Sequence, residues 1–402
     1  MAYQFFKDDG TNFEVQAMFG ALRSGCGDAG EILTTVASIT DGDAQSWVSA
    51  WQTLAERIAK IADAALALGH TVSARDAYLR AAVYSAAVLP SVDGIKDPEP
   101  VLKAAFTEHR RCFDAYIALL DVPGEKVTIP YEGSTMPGYF FSPATDGTAR
   151  PTIILNNGSD GAVTSLWPGF GGAAVARGYN VLVFDGPGQQ SMLFEEGIPF
   201  RPDWEHVITP VVDFLHERAD VDHDAIAIYG ISQAGYWVPR ALAFEHRIAA
   251  AIVDPGVDDV STSWLGHLPE SMVKMLNDGD KKNFDEMMSI GTASDDPLQA
   301  QLVAWRGKPY GITDPYDLFT TVMEYKLGDL TKQITTPILV TDPEGEQFWP
   351  GQSRRFYDAL PGPKELVKFT AAEGADRHCE PMARALLEQR VFDWLETIIP
   401  RS

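Results

Sequence analysis

The chain has 402 residues, 45% hydrophobic and 22% charged, a balance that fits a soluble globular protein and excludes a disordered or collagen-like polymer. Its formal net charge of −24 repels phosphate backbones and anionic lipid, so neither nucleic acid nor a membrane is an expected partner. Three cysteines, Cys26, Cys112 and Cys379, stand far apart with no Cys-x-x-Cys pair. That pattern offers no zinc or thioredoxin-like motif and suits a reduced, cytoplasmic setting. The first residues lack a basic segment followed by an apolar stretch, so no signal peptide is expected. No run approaches ~18 apolar residues, so no membrane span is expected either.

The first part of the chain, residues 1–125, reads as helical and as a separate cap domain. From Trp47 the apolar positions Trp51, Leu54, Ile58, Ile61, Ala65 and Leu68 alternate steps of four and three, which predicts one helix face. Asp41 and Asp43 are candidate caps at its start, and Gly69 is the candidate stop. A second helix is expected from Ser73, with Asp76 at capping-box spacing and Ala77, Ala81 and Tyr84 on one face. A third is expected over residues 98–119.

After Pro123-Gly124 the period changes. Residues 127–131 and 139–141 predict paired strands around a turn containing Gly133 and Gly138. Short apolar runs follow at residues 152–155, 181–184, 226–229, 249–253, 338–340 and 366–369, most of them ending in Gly, Asp or Asn. Helical stretches separate the later runs, the pattern of a mostly parallel sheet of about eight strands in an α/β fold over residues 126–402. Residues 257–333 are too long for a simple crossover and predict an insertion over the strand ends, with helices at residues 270–276 and 282–290.

Gly230-Ile231-Ser232-Gln233-Ala234-Gly235 follows a predicted strand and opens a predicted helix. A serine in such a turn is lifted out of the sheet, and the following helix aims backbone N–H groups at the reacting oxygen. A Gly-x-Ser-x-(Gly/Ala) string alone recurs by composition in roughly one chain in three of this length, so its flanking strand and helix carry the weight. The base must follow. Of the histidines after Ser232, His246 falls in the helix of the motif and His267 in the insertion, whereas His378 follows the last predicted strand. The acid is expected after residues 338–340. The loop there offers Asp342, Glu344 and Glu346; Glu346 is preferred on the spacing from Pro337 to Pro350 that the resemblance given below implies, and Asp342, which directly ends the strand, is held in reserve. The oxyanion donors are expected to be the amides of Ser159 and Gln233. Asp160 is either a substrate contact or a turn residue of Ser159-Asp160-Gly161. Among the aromatics beside these motifs, Trp237 and Trp349 are candidate substrate contacts, against core packing as the commoner fate of such rings. Asp185-Gly186-Pro187-Gly188-Gln189 has no Lys-Ser/Thr end and is read as structural, and Cys379 as inert.

The chain resembles the α/β-hydrolase superfamily over about residues 125–402. The helical segment before that core is similar to the arrangement in 2,6-dihydroxypseudooxynicotine hydrolase, FrsA-like esterases and fungal polyketide-shortening hydrolases. Three strings carry the closer likeness: Gly69 to Ala81, Asp185 to Gln189, and Glu373-Gly374-Ala375-Asp376-Arg377-His378-Cys379. The resemblance implies a triad of Ser232, an acid after the seventh core strand, and His378. It also implies a site between core and helical cap, and often a homodimer. Ala234 in place of the usual glycine, and glutamate in place of the usual aspartate, depart from the pattern. The expected protein is a serine hydrolase of a small ketonic, aromatic or polyketide-like substrate, including C–C cleavage of a 1,3-dicarbonyl, with no cofactor and no metal. A carboxylesterase or lactonase, an acyl-transferring or cyclising enzyme, and a non-catalytic binding protein are the alternatives.

Overall fold

The computed structural model describes residues 3–292 and 303–400. Five helices precede the sheet: α1 (Asp9–Ala21), α2 (Ala29–Val36), α3 (Ala44–Ala67), α4 (Thr71–Ala86) and α5 (Pro98–Ala118). Asp43 caps α3, its carboxylate accepting from the amides of Gln45 at 3.0 Å and Ser46 at 3.2 Å. Asp41 does not cap; it accepts from the amide of Lys7. Trp47, Trp51, Leu54 and Ile58 are buried as the spacing predicts, but Ile61 is 48% and Leu68 73% exposed. Steps of four and three average 3.5 residues, so on a straight helix of 3.6 the stripe rotates by ~20° per heptad and leaves the core. Ala55, Ala59 and Ala62 take over the buried line.

The α4 start expected at Ser73 is corrected to Thr71, and no capping box forms. Gly69, at φ +77°, reverses the chain so sharply that the helix begins at once. The carboxylate of Asp76 meets Arg75 instead. Ala74, Ala77 and Ala81 are buried, and these small side chains let neighbouring helices approach closely.

The sheet has eight strands: β1 (Glu125–Tyr131), β2 (Ser134–Phe141), β3 (Arg150–Asn156), β4 (Asn180–Phe184), β5 (Val221–Ile231), β6 (Ala250–Asp254), β7 (Ile338–Pro343) and β8 (Lys364–Phe369). Their order is β1-β2-β4-β3-β5-β6-β7-β8. β2 is antiparallel to β1 and β4, and the remaining pairs are parallel. The expected turn residue Gly138 lies inside β2, paired with Phe184. The hairpin turns on Glu132 and Gly133, both at positive φ, so that Tyr131 faces Ser134.

Successive strand residues point to opposite faces. Ile153, Leu155, Val181, Val183 and Tyr229 join the N-terminal Trp51, Tyr84 and Phe113 in one continuous core. Ile154, Leu182, Phe184 and Ile228 enter a second core on the other face. The N-terminal helices therefore share their core with the sheet. Arg110 of α5 ties them further: its guanidinium lies 3.1 Å from the fully buried Asp185 carboxylate after β4. Between β6 and β7 run the helices Glu270–Asp278, Lys281–Thr292 and Pro315–Val322, holding the two predicted insertion helices. Met272, Leu276, Phe284 and Phe319 give this region a small core of its own. No helix among the described residues is long and apolar enough to cross a membrane.

Candidate active site

The site forms where the parallel strands end, because helices follow there and leave their first N–H groups open. β5 ends at Ile231, and Ser232 sits at φ +58°, a left-handed conformation that turns its hydroxyl away from the sheet. Its N–H donates to the Asp254 carbonyl at 2.6 Å, and its carbonyl accepts from the Gly235 amide at 2.8 Å. The turn closes only around small residues. A Cβ on Gly230 would fall 2.7 Å from the Ala234 carbonyl oxygen, and one on Gly235 would fall 1.9 Å from that of Pro255. The alanine at 234 is fully buried without such a clash, so its departure from the usual glycine is accommodated.

His378 and Glu346 reach this serine from the loops after β8 and β7. His378 Nε2 is 2.9 Å from Ser232 Oγ, and its Nδ1 is 2.9 and 3.0 Å from the two Glu346 oxygens. A carboxylate can only accept, so Nδ1 holds the hydrogen and Nε2 is left to accept from the Ser232 hydroxyl. The carboxylate is itself fixed: Oε1 accepts from the amides of Phe348 at 2.9 Å and Trp349 at 3.2 Å. Burial pushes the Glu346 carboxyl up, but His378 and the two amides outweigh it and hold the group below its usual value. The imidazole and carboxylate side chains are each only 5% exposed.

The reserve acid Asp342 does not take part. β7 continues to Pro343, so Asp342 lies within the strand opposite Lys368, and burial raises its carboxyl. The loop beyond the strand, which carries Glu346, is what reaches His378.

Asn157 to Gly161 pass directly over Ser232. A Cβ on Gly158 would lie 2.7 Å from Ser232 Cβ. Among the described residues, the amides of Ser159 and Gln233 donate to no protein acceptor. The loop is braced from below by Gln189, which is 2% exposed. Its Nε2 donates to the carbonyls of Asn157 at 2.8 Å and Gly158 at 3.1 Å, while Oε1 accepts from the Gly186 amide at 2.8 Å. The sequence read the Asp185–Gln189 turn as structural without showing what it supports.

A cavity of about 800 Å³ opens above Ser232 and His378. Asp160 lines it, exposed, beside Ser159 Oγ at 3.2 Å. Trp349 lines it too, with its indole N–H donated to the Val260 carbonyl and its ring 5.7 Å from that of His378. Trp237 does not. It is fully buried, stacked on Trp204 at 4.3 Å and edge-on to Phe200 at 4.9 Å. The helix Ala234–Leu242 turns that side chain into the core rather than toward the serine. Lining residues missed by sequence reasoning come from far away in the chain: Phe13 and Glu14 of α1, and Trp305 and Arg306 of the insertion. Phe13 sits 6.1 Å from the His378 ring. No local signal marks them, because only the fold brings them here. Cys379 is buried, its sulfur 3.1 Å from the Asp254 carbonyl, and burial raises its thiol far above the usual range. Among the described residues no cluster of three or more His, Cys, Asp or Glu stands ready to hold a metal ion.

A mostly parallel eight-stranded sheet with a strand-turn-helix serine at its carboxyl edge defines an α/β-hydrolase enzyme. The chain is 31% identical to the hydrolase LUC6 of a Fusarium species, across 98% of this chain and 97% of that one. It is 30% identical to the α/β hydrolase xenA of Xenoacremonium sinensis, across 96% of this chain and 95% of that one. It is 29% identical to the 20-hydroxy-prefusarin hydrolase FUS2 of Gibberella moniliformis, across 98% of each. The chain belongs to this family of α/β hydrolases. No family model matches it. Among solved structures, 2,6-dihydroxy-pseudo-oxynicotine hydrolase superposes with a TM-score of 0.69 at 20% identity, covering 95% of each chain. AbyA5 superposes at 0.65 and 14% identity, covering 98% of this chain and 96% of that one. Both likenesses concern the fold.

Proposed function

We propose that the protein is a serine hydrolase in which Ser232, His378 and Glu346 act as a catalytic triad on a small ketonic, aromatic or polyketide-like substrate. The observation that carries the proposal is the unbroken hydrogen-bonded relay from Ser232 Oγ through His378 to Glu346. Ser232 attacks a carbonyl carbon while His378 Nε2 takes its proton. Glu346 holds the ring in the productive tautomer and stabilises the imidazolium. The oxyanion forms beneath the amides of Ser159 and Gln233, two N–H donors with no competing acceptor among the described residues. His378 then protonates the leaving atom, and water releases the acyl group from Ser232.

The preferred bond is the C–C bond of a 1,3-dicarbonyl. Its leaving carbanion is an enolate, which an imidazolium can protonate. The cavity supports such a substrate by its size and by the aromatic rings of Phe13, Trp264, Phe348 and Trp349 in its wall. One relative is named a 20-hydroxy-prefusarin hydrolase, which supports a small organic substrate. Ester or lactone hydrolysis is the second reading, since the same serine and histidine serve an alkoxide leaving group equally well.

The test is a panel of β-diketones, esters and lactones run in ¹⁸O-labelled water, with products read by mass. The proposal expects a β-diketone to give a ketone and a carboxylic acid that carries one solvent oxygen. Turnover of esters alone would move the assignment to the second reading. Products without solvent oxygen would point to acyl transfer or cyclisation.

A further inference from the structure

Arg306 of the insertion lines the same cavity as Ser232 and His378. Its guanidinium stacks 4.6 Å over the ring of Phe348, and that ring lies 4.7 Å from His378, edge-on at 71°. The cation therefore sits no more than about 9 Å from the imidazole. Among the described residues it makes no hydrogen bond and no ion pair; Glu14, Asp160 and Tyr310 act on it only through space. A half-buried guanidinium facing a cavity, with no carboxylate paired to it among the described residues, is free to hold a ligand oxygen. Glu14 does not cancel the cation fully. Burial, then Asp160, push its carboxyl up to about 7 against the pull of Arg306.

We propose that Arg306 binds the remote carbonyl oxygen of a 1,3-dicarbonyl substrate and stabilises the enolate that leaves. The inference rests on the C–C cleavage reading above. In that reaction the tetrahedral oxyanion on the attacked carbon collapses and the C–C bond breaks. Its electron pair passes to the leaving carbon and delocalises onto the remote oxygen. The Nε2 proton of His378 then goes to that carbon, giving a neutral ketone and an acyl ester on Ser232. An ester places no such charge on a remote oxygen: its alkoxide is protonated directly by His378. Arg306 therefore separates the two reactions.

The experiment uses wild type, Arg306→Met and Arg306→Lys on a β-diketone and an ester that share one acyl group. Phosphonylation of Ser232 by a small fluorophosphonate reports that each variant is folded and its serine reactive. Loss of a charged hydrogen bond made in the transition state should lower kcat on the β-diketone by about 10- to 100-fold more than on the ester in Arg306→Met. Arg306→Lys should recover part of that difference. Equal loss on both substrates, or no loss on the β-diketone, would overturn the role of Arg306 alone. A wild-type enzyme that reacts with the fluorophosphonate and cleaves the ester but no β-diketone would overturn the C–C reading and this proposal with it.

Discussion

Gly158→Ala separates the geometry of the oxyanion loop from the chemistry of the triad. Gly158 does not occupy the positive-φ region, so alanine introduces no backbone strain there. Its Cβ would stand 2.7 Å from Ser232 Cβ, 3.1 Å from the Ile231 carbonyl oxygen and 3.2 Å from Ser232 Oγ. The first of these is roughly 0.7 Å inside ordinary contact, so the loop must lift away from the serine. Gln189 holds the same loop by two carbonyls, which confines the movement to the segment carrying the Ser159 amide. Displacement of one oxyanion donor by that distance should lower kcat by about 10²- to 10³-fold, the order found when one donor is removed outright. Steady-state kinetics on any accepted ester measure it, with a thermal melt to show that the fold persists. A variant that retained kcat within about threefold of wild type while melting normally would refute the assignment of this loop to the oxyanion.

Glu346→Gln keeps an oxygen for the amides of Phe348 and Trp349 but removes the charge behind His378. It should cost about 10³- to 10⁴-fold in kcat, with Glu346→Asp recovering part of it, and a loss below tenfold would place the acid elsewhere. Gln189→Leu leaves the Gly158 carbonyl and the Gly186 amide without their partner, while the Asn157 carbonyl keeps Asn156 Nδ2; it should lose about 2–4 kcal/mol in denaturant unfolding as well as activity, and unchanged stability would contradict the bracing role. Glu14 is raised from 4.5 to about 7 in the folded chain, so its contribution to stability is complete below pH 4.5 and is lost as pH rises through 7. Glu14→Gln should therefore raise the unfolding midpoint relative to wild type at pH 8 but not at pH 4.5. The same difference at both pH values would show that the carboxyl is not perturbed.

Local features of the site were readable because their chemistry is written in adjacent residues. The turn at Ser232 needs small residues on either side and a strand before it, and all three are contiguous. Glu346 and His378 were reachable because each follows a strand whose apolar run is visible. The fold brings His378 within hydrogen-bond distance of both Ser232 and Glu346. Nearness in sequence misled at Trp237, five residues beyond the serine. One and a half helical turns carry it to the opposite side of the motif, where Trp204 waits. The stripe on α3 was legible at Trp47 and Trp51 and failed at Ile61 and Leu68, where small errors of period accumulate. Phe13, Glu14 and Arg306 carry no mark of their place on the cavity wall, since tertiary packing alone brings α1 and the insertion over the serine.

The central claim is that Ser232 is an activated nucleophile. Intact-mass measurement of wild type and Ser232→Ala after treatment with a small fluorophosphonate tests it directly. The account predicts a single phosphonyl adduct on wild type and none on the variant. An adduct that survived in Ser232→Ala, or a wild-type protein that resisted probes of several sizes, would contradict it and favour a binding protein built on a hydrolase fold.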